Sequence, residues 1–199
     1  MSPVASGLAN VNGASLYYEV FGAGSPVVLL HGAGVDHRVW DEQVAPLAHA
    51  HTIVRYDLRG FGRSTAGPGG THADDLKALL DHLEFQRAAL LGLALGARIA
   101  IDVAIAYPDA VRALILVDPS LEGLATDGLD VVAAPALVAV GELADADAQQ
   151  RASTLEAAIP DAWKVVVPGA SRTLNQEAPQ RFNEIVMAFL AETERKSRR

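Results

Sequence analysis

The chain is expected to fold as one α/β domain, a mainly parallel twisted sheet with helices on both faces and no cap domain. Two observations predict this. Short continuous apolar runs alternate with helix-like segments along most of the 199 residues, and such runs mark strands buried on both faces. Half of the residues are hydrophobic, enough for one sizeable core and few for two.

The elements follow in order. Residues 14–20 read as a strand after the Asn12-Gly13 turn signal. Residues 27–30 form an apolar run ending at His31-Gly32, and residues 52–56 form another. Thr71-His72-Ala73-Asp74 has capping-box form and opens a helix carrying Leu76, Leu79, Leu80 and Leu83 at helical spacing. Residues 88–91 are a strand. Residues 95–107 are a helix apolar almost all round, broken only by Arg98 and Asp102, and ended by Tyr107-Pro108. Residues 114–117, 136–140 and 164–167 are three more strands. A last helix starts near Pro179 and repeats Phe182, Ile185, Val186, Phe189 and Leu190 on one face. There is no internal repeat, and the whole chain, 1–199, reads as a single domain. The basic tail, 192–199, is expected to be disordered, as termini usually are.

Charge and composition exclude several classes. With 24 acidic and 16 basic residues the formal net charge is −8, which argues against nucleic-acid and anionic-membrane surfaces. No cysteine is present, so disulfides and thiolate chemistry are excluded. The chain lacks an apolar run of membrane-spanning length and a secretory pattern, which implies a soluble, cytoplasmic protein. Asp36 and His37 are adjacent rather than at helical ligand spacing, and no other ligand cluster is apparent, so neither metal nor cofactor is expected.

In a parallel sheet, ligands sit beyond the carboxyl ends of the strands. The strand ends here carry His31-Gly32-Ala33-Gly34, then Asp57-Leu58-Arg59-Gly60-Phe61-Gly62-Arg63-Ser64, then Gly92-Leu93-Ala94-Leu95-Gly96. Val117-Asp118-Pro119, Gly141-Glu142-Leu143-Ala144-Asp145 and Gly169-Ala170-Ser171-Arg172-Thr173-Leu174-Asn175 complete the series. In this order they strongly resemble the α/β-hydrolase superfamily, over about residues 10–191, and most of all its small bacterial esterase and lactonase-like members. Gly92 to Gly96 has the frame of G-x-S-x-G, the turn that presents a nucleophile.

The resemblance implies hydrolysis by a nucleophile, an acid and a histidine in that chain order. The nucleophile falls on Ala94, the acid on Ala144 and the histidine on Ser171, and none of the three has the required chemistry. The implied oxyanion donors are the backbone N–H groups of Ala33 and Leu95, which do not depend on side-chain identity. Further residues implied at a pocket are His31, Gly32, Asp36, His37 and Asp118. His31 is expected to be structural, and His37 a solvated helix-start residue. Without a base no hydroxyl is activated, and loss of triad members leaves at most roughly 10³–10⁴-fold over water.

Residues 118–135, eighteen in all, separate the two strands between which most relatives insert a helical lid. Leu121, Leu124 and Leu129 are too few to replace one, so Val35, Trp40 and Leu95 are expected to face solvent and to favour a homodimer through the lidless face. The substitutions lie inside well-kept frames. This implies first an engineered, lidless scaffold derived from an ester or lactone hydrolase and lacking triad hydrolysis. Second comes a natural pseudoenzyme that binds a small-molecule ligand. Third comes an enzyme repurposed around the pocket and oxyanion hole.

Overall fold

A computed structural model describes residues 1–121, 123–126 and 128–197. Eight strands form one sheet: β1 (Ala5–Val11), β2 (Ala14–Gly22), β3 (Ser25–Leu30), β4 (His51–Tyr56), β5 (Ala88–Leu93), β6 (Val111–Val117), β7 (Ala136–Gly141) and β8 (Ala162–Val167). Their spatial order is β1-β2-β4-β3-β5-β6-β7-β8. The β1–β2 and β2–β4 pairs are antiparallel, and every other neighbouring pair is parallel. The β5 and β7 side chains are buried throughout, as central strands covered on both faces must be.

Among the described residues, six α-helices flank the sheet: α1 (Asp41–Leu47), α2 (His72–His82), α3 (Leu95–Ala106), α4 (Ala146–Ala158), α5 (Leu174–Glu177) and α6 (Pro179–Ser197). Two buried clusters lie on opposite sides of the sheet. One joins α2, α3 and α4 to Leu90, Leu114 and Val138, and the other joins α1 and α6 to Leu29, Leu91 and Ile115. The reciprocal capping box at Thr71 and Asp74 forms at the start of α2. The strand β1 and the helices α4 and α5 add to the expected elements, and the helix expected to start near His37 is a 3-10 turn, His37–Trp40, that runs into α1. The buried residues of α4 are Ala148, Ala152 and Leu155, a stripe too rich in alanine to stand out in the sequence.

Three expectations need correction. First, α6 continues to Ser197, so residues 192–197 of the basic tail are helical; Arg198 and Arg199 lie outside the described residues. Glu194 reaches Arg112 at 3.2 Å, Arg195 pairs with Glu192, and the Lys196 ammonium stands 4.8 Å from the Trp163 ring centre. Second, Trp40 is fully buried and Leu95 half-buried, so of the three residues expected to face solvent only Val35 is exposed. Third, described residues of the 118–135 connection pack onto the core: Leu129 is fully buried, and Leu121 and Leu124 pack against the same cluster. Its one helical turn among the described residues is Leu129–Val131, and no cap domain is present there. None of the described helices is long and apolar enough to cross a membrane.

Candidate functional site

The strand β5 turns into α3 at Ala94, whose backbone stands at φ 50°, ψ −105°. An L-residue is strained there. The turn is compressed as well as twisted. A Cβ on Gly92 would collide with the Gly96 carbonyl, and one on Gly96 with the Leu30 carbonyl. The two glycines therefore let α3 start directly against β3 and β5. Leu95 opens α3, so its N–H has no carbonyl within the helix to donate to. Gly32 stands opposite, and a Cβ built on it would lie 3.6 Å from the Ala94 methyl. Ala33 follows it in the same turn.

The histidines here are buried and hydrogen-bonded within the protein. His31 is fully buried. Its Nδ1 donates to the Gly32 carbonyl at 2.7 Å, and its Nε2 accepts from the Leu58 N–H at 2.9 Å. Burial holds its pKa below the ordinary imidazole value. With both nitrogens engaged, His31 ties the end of β3 to the turn after β4. His37, expected to be solvated, is buried instead. Its backbone N–H and its Nδ1 both engage Asp57 Oδ1, at 2.8 and 2.7 Å. The sequence hides this because Asp57 lies twenty residues away. Asp36, His37 and Asp57 bring ligand-type atoms within 4.8 Å of one another, a clustering that adjacency in sequence concealed. Asp57 Oδ2 accepts from the Arg63 N–H, and Asp36 is held by Arg38. The carboxylates are thus engaged by N–H donors in a loop-anchoring hub.

The other kept frames have similar duties. Arg59 forks onto Asp75 at 2.6 and 2.7 Å and also reaches the Gly67 carbonyl. Glu142 accepts from the Gly169 N–H. The buried Asn175 donates to the Val39 carbonyl and accepts at its own carbonyl from Gln43. These bonds tie the loops after β4, β7 and β8 to their neighbours.

Ala94, Asp118, Pro119, Ser120, Leu121, Arg151 and Arg172 line a cavity of about 240 Å³. Asp118 directly follows β6, with φ 41°, and is 5% exposed. Arg151 Nη2 donates to its Oδ1 at 3.1 Å, and Arg172 Nε to its Oδ2 at 2.7 Å. Arg151 Nε also donates to the Pro119 carbonyl. The cavity therefore joins Ala94 to Asp118 but not to Ala144 or Ser171. Ala144 packs, half-buried, on the α2–α3–α4 side. Ser171 Oγ donates to the Glu177 carboxylate, which also accepts from the Ser171 and Thr173 N–H groups and the Thr173 hydroxyl. Arg151 and Arg172 were not singled out in the sequence. Arg172 directly follows Ser171, but nothing local marks its approach to a residue fifty-four positions earlier.

Fold and strand-end turns define a class: the chain belongs to the α/β-hydrolase fold family, whose model matches residues 25–185. Among curated relatives, it is 37% identical over 106 residues to a pimeloyl-[acyl-carrier protein] methyl ester esterase of Aliivibrio salmonicida, covering 53% of this chain and 40% of that protein. It is 32% identical over 114 residues to a soluble epoxide hydrolase of Corynebacterium sp., covering 55% and 40%. The chain spans about two fifths of the length of the curated relatives it matches. Among solved structures, the enol-lactonase of Burkholderia xenovorans LB400 superposes with a TM-score of 0.86 at 22% identity, over 93% of this chain and all of that one.

Proposed function

We propose that this α/β-hydrolase-fold protein performs no triad hydrolysis and that the cavity over Ala94 holds a small molecule without cleaving it. The observation that carries this reading is the cavity itself. Its floor is a methyl group on a strained turn, and the one carboxylate among its described lining residues, Asp118, is committed to two arginines. A carboxylate so held orients no imidazole, and Ser171 supplies none. Ala94, Ala144 and Ser171 are read as the positions of nucleophile, acid and histidine, with the N–H groups of Ala33 and Leu95 as the oxyanion donors left between them.

The cavity, with two arginines in its wall, favours a binding protein over a redesigned scaffold; the kept frames are common to both. His31, Asp57, Glu142 and Asn175 each hold a loop in place. A chain that lost its chemistry and kept its fold retains them for that reason alone. An engineered scaffold is the second reading, supported by replacement of all three implied catalytic positions at once.

An activated short-chain ester such as p-nitrophenyl butyrate tests the proposal. Background hydrolysis without an acyl intermediate is expected. Saturable turnover with an acyl group trapped on the protein, seen by mass spectrometry, sinks it.

A further inference from the structure

We infer that the cavity over Ala94 is a site for a short-chain aliphatic monocarboxylate, gripped by Arg151 and Arg172; this rests on the binding reading above and names its ligand. The charge balance comes first. Among the described lining residues are two guanidinium groups and one carboxylate, which together leave one excess positive charge, the complement of a monoanion.

The donor count comes second. A guanidinium carries five N–H donors and never loses its charge. Arg172 spends its Nε–H on Asp118. Arg151 spends Nε on the Pro119 carbonyl and one Nη2 hydrogen on Asp118. Each keeps a further guanidinium edge for a second acceptor. Asp118, buried directly after β6, is the fixed point that presents both. Holding the forks in advance lowers the ordering cost of binding, and planar forks suit carboxylate oxygens.

The walls come third. Ala94, Pro119 and Leu121 offer apolar surface for an alkyl chain. The volume of about 240 Å³ lies below the usual range for drug-sized ligands, roughly 300–1,000 Å³, and selects a small acid. A doubly charged anion exceeds the single excess charge of the described lining residues.

Titration of the purified chain with sodium butyrate, followed by thermal unfolding and calorimetry, tests the assignment. Butyramide serves as the neutral isostere, and sodium phosphate and sodium chloride as ionic controls. Butyrate is expected to raise the melting temperature saturably while butyramide does not. Arg172→Gln, at a side chain mostly exposed to solvent, is expected to weaken binding about tenfold or more, the loss of a charge-assisted contact. Leu121→Trp keeps both arginines, fills the cavity and is expected to abolish binding. Equal stabilisation by butyrate and butyramide overturns the carboxylate assignment and leaves the binding reading standing. Equal stabilisation by butyrate and chloride, or butyrate binding unchanged in both variants, overturns the site. Ester turnover with a trapped acyl group sinks the earlier reading independently of these titrations.

Discussion

Ala94, at the turn from β5 into α3, has a strained backbone and only a methyl group to present. Non-glycine residues in such sparsely populated regions cost of order 1–3 kcal/mol. In an active hydrolase that strain accompanies the projection of a hydroxyl. Here the φ of 50° presents only a methyl group, so the conformation is imposed by the packing of Gly92 and Gly96 against their neighbours. Glycine adopts positive φ without a Cβ clash. Ala94→Gly is therefore expected to stabilise the fold by about 1 kcal/mol, read as a higher denaturation midpoint in urea with an unchanged slope. A loss of stability would mean that the methyl's packing against the α1–α6 cluster outweighs the relief.

At the scale of the element, the turn between β8 and α6 holds Ser171, proposed above as the histidine position, in a hydrogen-bonded hub. Glu177, at the end of α5, gathers hydrogen bonds from Thr173 and Ser171. The Thr173 hydroxyl, followed by the Ser171 N–H and hydroxyl, pulls the Glu177 carboxyl down to about 2. Its folded pKa lies below its unfolded value, so its contribution is fully present above about pH 4.5 and is lost as pH falls through about 2. Glu177→Gln is expected to lower the melting temperature at neutral pH. The gap from the parent chain should close as the pH is lowered from about 5 to 2. A gap independent of pH would mean that the loop does not depend on the charge.

At the scale of the whole molecule, the fold was legible because buried parallel strands announce themselves as apolar runs, and the α3 turn because glycine spacing is local. The site was less so. Contacts such as His37 with Asp57, or Arg172 with Asp118, join residues twenty and fifty-four positions apart, and no local pattern encodes them. The expected solvent-facing Trp40 failed for the same reason, since its burial depends on the packing of α1 and α6 beneath the sheet. The implied catalytic positions pose the same problem in reverse: Ala94, Ala144 and Ser171 follow three different strands, and only the assembled sheet can make them act together.

Rebuilding is thus a test of the assembly. Ala94→Ser alone supplies a hydroxyl without a base, and Ser171→His alone a base without a nucleophile, so each should remain at background on an activated ester. Ala94→Ser with Ser171→His is expected to exceed either single change by about 10²-fold or more, the usual reach of a positioned general base. Adding Ala144→Asp should raise the rate further by orienting the ring, because triad members act as a unit. The Arg172 grip on Asp118 keeps that native carboxylate from substituting for the new one. If Ala94→Ser alone hydrolyses the ester as fast as the triple change, Ser171 and Ala144 are not the positions of histidine and acid, and the base lies elsewhere on the strand ends.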